Sequence, residues 1–437
     1  MKKVIIIVCC FFAFSCEKYS EGLNVDPNNF TDAPGESIIG QANLTWVLVA
    51  EGEAARMSGI FTDQFTGFSN QFINYEVYDV KSSDFDGIWN NNYAGGIAQT
   101  RIVQDKARES GNTRLLGVAQ IVEAVMGAEL AALFGDVPYS QSALPVDFPH
   151  PAFDKQADVL QAAQNLLSEG IGNVGNARVA DFYGSPVFVA NGALWSEVAH
   201  TLKARYYLLV KDYAKARDEA KLGISRVDRS LMAFHSDLAG QGNLFYQFGI
   251  EQRGGYLTAT RSHLRKLLNL SDSSIGRILF TPGDEARFSH YFSGNELNYS
   301  EEGYFGQASE FPIADWYENK FILAESELRL NNAEASRTAF NAVRGELAKK
   351  YTAEFPEVAI GGNTLLRVIL EEKYITMVGS PQVYNDIRRT QNLIGVPVKS
   401  SLANTIPQRF LYPEVEINAN NSFPGVIGLF VPTDINK

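Results

Sequence analysis

Two aromatic-rich stretches are the parts of this chain best suited to holding a ligand. The first, FTDQFTGFSNQFINYEVYD, sets Phe65, Phe68, Phe72, Tyr75 and Tyr78 among Gln64, Asn70, Gln71 and Asn74. The second, GNLFYQFGIEQRGGY, offers Phe245, Tyr246, Phe248, Arg253 and Tyr256 between glycines that permit mobility. Sugar rings carry apolar C–H faces and polar edges, so aromatic planes interleaved with amides and charges suit them, and a peptide could use the same groups. The expected ligand-binding residues are therefore Phe65, Phe68, Phe72, Tyr75, Tyr78, Tyr246, Arg253 and Tyr256. The competing expectation is that about half of the rings in the first stretch pin it onto the body of the protein, because large aromatics are mostly buried.

The parts of a catalytic centre are not found. There is no glycine-rich phosphate loop ending in Gly-Lys-Ser/Thr, no His-Glu-x-x-His pair and no Gly-x-Ser-x-Gly elbow. The histidines, His150, His200, His235, His263 and His290, lie far apart without ligand-like spacing. Ser82, Asp84 and Asp86 faintly outline a calcium loop, but its last acidic position is Tyr93. A binding protein with no catalytic residue, metal or cofactor is expected, although a glycosidase built on two distant carboxylates would leave no such spacing. The net charge of −12 and the lack of a basic stripe argue against nucleic acid as a partner.

The elements that must carry these loops are helices. Apolar positions recur at helical spacing over 39–57, from Trp89 through Tyr93, Ile97 and Val103, and from Leu115 to Leu133, where Gly135 and Pro138 close the run. Further helices are expected over 153–171, 191–210, 212–227, 316–331, 333–350 and 363–378. Trp89 and Tyr93, one helical turn apart, are expected in the core. The clearest antiparallel pair spans 316–350, turning at Asn331 and Asn332, and a second spans 195–224. Small alanines at facing positions make both pairs tetratricopeptide-like. The expected fold is mostly α, built of such pairs, with few short strands. Long irregular segments intervene at 61–85, 134–152, 228–262, 271–315 and 392–437, and loops of that length usually carry function.

The N-terminus carries a separate message. Lys2 and Lys3 precede an apolar run from Val4 to Phe14, the layout of a secretory leader and too short for a membrane span of about 20 residues. The sequence around Cys16 resembles the lipobox of bacterial lipoproteins, with Ala13 and Ser15 before the cysteine and Phe14 departing from the pattern. Residues 1–15 are then a lipoprotein signal peptide, Cys16 the lipidation site, 16–36 a tether rich in Asn, Asp, Pro and Gly, and 37–437 a single helical domain. The alternative is an ordinary leader followed by a free thiol. All three cysteines, Cys9, Cys10 and Cys16, lie at or before the proposed cleavage point, so no disulfide is expected within the mature chain.

Six blocks, in order, resemble the SusD/RagB-like lipoproteins of Bacteroidota: Leu23 to Asn28, Trp89 to Tyr93, Leu133 to Ala143, Lys320 to Leu330, Glu371 to Gln391 and Ile406 to Asn421. The resemblance implies a SusD-like fold and a lipid-anchored protein on the surface of the outer membrane. It further implies capture of a nutrient, oligosaccharide or peptide, as the lid of a SusC-like TonB-dependent barrel. Where relatives often carry Asp-Pro-Arg in the central region, this chain reads PGDEARFSHY at Pro282 to Tyr291, so no relative's ligand transfers directly. A structural subunit that binds proteins and no nutrient is the other reading. In YNDIRR, Asp386, Arg388 and Arg389 suit buried ion pairs or capped carbonyls. In FLYPEVEINAN, Pro413 and Glu416 are expected to lock the C-terminal segment, Glu416 by holding backbone amides.

Overall fold

The computed structural model describes residues 33–269, 271, 275–401 and 403–437. The signal peptide, Cys16 and the tether as far as residue 32 lie outside the described residues. The chain opens with α1 (Gly35–Glu51) and α2 (Glu53–Phe61), then β1 (Thr66–Gly67) and α3 (Gln71–Glu76). Helix α4 (Asp86–Asn90) runs through a π-helical turn at Asn91–Ile97 into α5 (Ala98–Ser110). Helices α6 (Thr113–Phe134), α7 (Gln156–Val174), α8 (Trp195–Leu209) and α9 (Tyr213–Leu222) follow. Next come β2 (Leu231–Ala233), α10 (Leu244–Tyr246) with a π turn at Gln247–Gln252, β3 (Leu257–Thr258) and α11 (His263–Leu268). Helix α12 (Asp284–Tyr291), β4 (Phe292–Ser293), β5 (Glu296–Leu297) and β6 (Phe311–Ala314) lead to α13 (Trp316–Arg329) and α14 (Ala333–Tyr351). The chain ends with α15 (Gly362–Thr376), α16 (Pro381–Arg389) and α17 (Glu414–Ala419). Among the described residues, strand is confined to three antiparallel two-stranded ladders, β1–β3, β2–β6 and β4–β5.

The helical pairs repeat down to individual hydrogen bonds. Between α8 and α9 the chain turns at Lys211 (φ 63°), whose N–H donates to the Leu208 carbonyl, while the Asp212 N–H donates to that of Tyr207. Between α13 and α14, Asn331 (φ 65°) and Asn332 make the same bonds to Leu328 and Glu327. Both are helix stops closed by one left-handed residue. The Asp212 carboxylate then caps α9 by accepting from the Lys215 N–H at 3.1 Å. The pairs also dock on each other, α9 against α13. Asn319 of α13 donates to the carbonyls of Ala220 and Ile224, and Gly223 is needed there because any Cβ would crowd the side chains of Asn319 and Thr201.

Helix α6 lies at the centre. It is long and apolar enough to cross a membrane, yet 94% of its apolar window is buried within the protein. Its last turn is held by the C-terminal half of the chain: Arg388 donates to the Ala132 carbonyl at 2.9 Å, the Phe410 N–H donates to Leu133, and Arg409 donates to Phe134. The expectation for YNDIRR thus divides between its arginines. Arg388 caps carbonyls, and Arg389 forms a buried pair with Glu325 (2.5 Å) and Asp386 (2.6 Å). The stretch is itself helical, capped by Ser380 with Pro381 in the first turn.

Three expectations need correction. The helix expected over 39–57 is two helices, broken at Gly52, where a Cβ would overlap the Leu48 carbonyl oxygen. It also starts at Gly35, inside the segment expected as tether. Glu416 takes the side-chain amide of Asn420 at 2.6 Å rather than backbone amides. The faint calcium loop is used otherwise: Asp84 accepts from the Tyr75 hydroxyl (2.9 Å) and the Lys81 N–H (2.8 Å), and Asp86 accepts from the Val415 N–H (3.1 Å). Trp89 and Tyr93 are packed against each other, and the Tyr93 hydroxyl donates to the Pro138 carbonyl at 2.6 Å.

Candidate ligand-binding face

Strands β1 and β3 bring the two aromatic stretches together. Thr66 pairs with Thr258 and Gly67 with Leu257, and the ladder continues through the Phe68 N–H, which donates to the Tyr256 carbonyl at 2.9 Å. The Ser69 hydroxyl adds a bond to the Gly255 carbonyl at 2.9 Å. Residues nearly two hundred positions apart thus form one surface.

The sequence explains why the strand leaves α2 where it does. Asp63 (φ 54°) stops the helix, and the Gln64 and Phe65 N–H groups fold back onto the Gly59 carbonyl. Gly59 has no side chain because the Phe65 ring lies directly against it. Gln64 is buried between the Tyr374 carbonyl (2.7 Å) and the Gly379 N–H (3.0 Å), so it anchors the loop rather than facing outward. On the far side Glu76 accepts from the Gly67 N–H at 2.9 Å and pairs with Lys399 at 2.7 Å. Burial pushes the Asp63 carboxyl up to about 6 against the opposing pull of Lys399.

The eight expected residues divide by exposure. Phe65 is fully buried, packed on Phe245 (5.5 Å between centroids) and Phe305 (5.8 Å), and presents no ring face to solvent. Tyr78 is also buried; it lies edge-on to Phe61, and its oxygen accepts from the Lys399 N–H. Phe72 and Tyr75 are buried in a ring cluster, with Phe72 5.1 Å from Phe248 and 5.8 Å from Tyr256. Phe68 stands out from this floor, 49% exposed, close to Ser69 and Gly255 at the edge of the ladder. Tyr246 and Tyr256 are half-buried and Arg253 is exposed, its guanidinium 5.8 Å from the centre of the Tyr256 ring. Burial takes four of the five aromatics expected to bind in the first stretch and leaves one plane outward.

Sequence reasoning missed two members of this face. Arg56, on α2, stacks on the Phe248 ring at 4.3 Å, and burial pushes it down to about 10 against the pull of Glu53. Tyr299 packs edge-on to Tyr246 with its hydroxyl against Gly249, where any Cβ would overlap it. Neither lies in an aromatic-rich stretch, and Arg56 has the appearance of an ordinary surface helix charge three residues after Glu53.

Helix α12, which precedes Tyr299 in the chain, is held by a buried ion cluster. Arg277 binds Asp284 (2.7 Å), Glu371 (2.8 Å) and Glu372 (3.2 Å). Arg287 joins Asp284 to Glu372, and Arg344 approaches Glu372 at 3.4 Å. The Asp and Arg of PGDEARFSHY therefore fasten α12 to α14 and α15 and do not face a ligand.

Two further concavities lie elsewhere. A cleft of about 770 Å³ is lined by Asp228, Glu302, Glu310, Asp315, Tyr317 and Lys350 among others. Burial raises Asp315 to about 6 and lowers the neighbouring His290 to about 4, with Lys350 adding to the second shift. Its tyrosines Tyr304 and Tyr317 are only 7% and 8% exposed, so it offers carboxylates and little ring plane. A smaller groove of about 310 Å³, mostly apolar, runs between Leu44, Leu48, Val187 and Phe234. Among the described residues no group of His, Cys, Asp or Glu side chains is arranged to hold a metal ion.

Comparison with known proteins agrees with this architecture. The SusD-like family model described as "Starch-binding associating with outer membrane" matches residues 27–413. A SusD/RagB family protein from Bacteroides thetaiotaomicron superposes with a TM-score of 0.66 at 21% identity, over 90% of this chain and 95% of that one. A chitin-binding SusD homolog from Flavobacterium johnsoniae gives a TM-score of 0.65 at 14% identity, over 92% and 98%. Another chitin-binding protein gives 0.64 at 19%, over 88% and 94%. No curated protein sequence matches the chain. The structural likenesses carry the fold, and with a family model spanning most of the residues, the chain belongs to the SusD-like family.

Proposed function

We propose that this protein captures an oligosaccharide at the outer membrane on the face built by β1, β3 and the residues around them. In this reading it acts as the lid of a SusC-like TonB-dependent transporter while tethered through a lipidated Cys16. The observation that carries the reading is the convergence of the two aromatic loops through the β1–β3 ladder, which leaves Phe68, Tyr256 and Arg253 outward on a rigid floor. A plane flanked by polar groups suits a sugar ring, whose C–H face stacks while its hydroxyls bond at the edge. The family description and the chitin-binding neighbours support a glycan over a peptide. Mild detergent extraction followed by purification of the tagged chain tests the lid role. A large barrel protein should copurify in a fixed ratio, and its absence would count against the transporter partnership.

A further inference from the structure

The arginines on this face lie over rings, as Arg114 does over Phe182 elsewhere, whereas several other surface arginines are neutralised by carboxylates. Arg108, Arg178, Arg226 and Arg229 each pair with a carboxylate. Arg56 has Glu53 three residues before it, the spacing at which helix ion pairs form, yet its guanidinium turns away to stack on Phe248. No carboxylate among the described residues comes within ion-pair distance of it. Glu51 is taken by His235 (2.8 Å) and the Leu244 N–H (2.7 Å). Arg253, two residues after Glu251, likewise lies over a ring, that of Tyr256, without an ion pair. Arg261 adds a third cation next to the ladder, its backbone N–H on the Thr66 hydroxyl at 3.3 Å.

Phe248 and Tyr256 belong to one cluster, 6.4 Å apart, with Phe72 in contact with both. Two guanidiniums thus lie over adjoining rings, 4.3 and 5.8 Å from the ring centres, without an anionic partner. A guanidinium is a planar fork that matches a carboxylate bidentately, and stacking on a ring pre-organises it for that purpose. The carboxylates that remain nearby, Glu53, Glu251 and Glu296, form no ion pair and would repel an anion, so the preference rests on the unpaired guanidiniums over the rings and not on net charge. The depressed basicity of Arg56 fits the same picture, since a buried cation without a counter-ion gains from an incoming anion.

We infer that the ligand of this face is an acidic oligosaccharide, one whose rings carry carboxylates, with Arg56 and Arg253 binding the carboxylates while Phe68 and Tyr256 stack on the rings. The inference rests on the reading of this face as the capture site, and it deepens that reading by naming the ligand's charge.

The test is calorimetric titration of the full chain with matched-length neutral oligosaccharides, uronic acid oligosaccharides of several linkages, the methyl esters of those acids, and an oligoglutamate peptide. The expected result is an acid bound at least about tenfold more tightly than its methyl ester, with the preference shrinking as salt rises. Arg253→Gln, at an exposed position that does not endanger folding, should lower the acid-over-ester affinity ratio from at least about tenfold to near one. Arg56→Met should do the same if the variant folds. Equal binding of acid and ester, or binding of neutral oligomers alone, overturns this inference and leaves glycan capture standing. Binding of no oligosaccharide overturns both. Tight binding of an oligoglutamate peptide with no acidic glycan bound would assign the face to peptides and overturn the proposal.

Discussion

Replacing Glu372 by Gln removes a carboxylate shared by three guanidiniums, those of Arg287, Arg277 and Arg344. Burial alone would raise the Glu372 carboxyl, but Arg287, then Arg277 and Arg344, overcome it and hold the group down from 4.5 to about 2. At about 1.4 kcal/mol per unit, ionised Glu372 contributes about 3 kcal/mol to folding at neutral pH. Because the folded pKa is depressed, this contribution is complete above the unfolded value near 4.5 and disappears as pH falls through about 2. Glu372→Gln leaves buried arginines short of charge, a change that costs about 3–5 kcal/mol when one partner of a buried pair is lost. The variant should therefore unfold at lower urea at pH 7, and the gap to wild type should narrow by about 2 kcal/mol by pH 3. Urea titrations followed by tryptophan fluorescence at pH 7, 5 and 3 measure both quantities. A gap that stays constant from pH 7 to pH 3, or a variant as stable as wild type at pH 7, would refute the charge-sharing argument.

Other substitutions separate the parts of the binding face. Phe68→Ala removes an exposed ring, so it should weaken oligosaccharide binding by about three- to tenfold with no change in melting temperature, as read by calorimetry and thermal unfolding. Phe65→Ala empties a site under Gly59, Phe245 and Phe305 and should cost about 3–5 kcal/mol of stability, seen as a large fall in melting temperature. Equal effects of the two on stability would contradict the division of the loop into floor and platform. Cys16→Ser should release a folded protein into the soluble fraction while ligand binding persists, and continued membrane retention on immunoblotting would argue against lipid anchoring.

Much of the scaffold could be read from the sequence because helical period and pairing are local properties. The 316–350 pair is visible from Phe321, Ala324 and Leu328 facing Ala335, Ala339 and Val343, and the structure places α13 on α14 as expected. The break at Gly52 was hidden, since apolar spacing continues across it and only the Leu48 carbonyl shows why a side chain is excluded. The π turn at Asn91–Ile97 was hidden for a similar reason. Gly96 permits a close approach to Met126, a contact between helices that no local pattern encodes.

The candidate face was legible in composition but not in orientation. Aromatic spacing singled out both loops, yet which rings form the floor is decided by partners such as Phe305, Phe245 and Lys399, distant in sequence. Arg56 and Tyr299 had no local signal, because stacking on Phe248 and packing on Gly249 exist only once the β1–β3 ladder has formed. The large acidic cleft was equally unreadable, since Asp228, Glu310 and Lys350 meet there from three separate segments.

Hydrogen–deuterium exchange of the full chain, with and without an oligosaccharide that it binds, tests the location of capture most directly. Glycan capture on the aromatic face predicts slowed exchange at residues 66–70 and 253–258. Slowing confined to residues 301–317 would move the site to the acidic cleft and contradict the account.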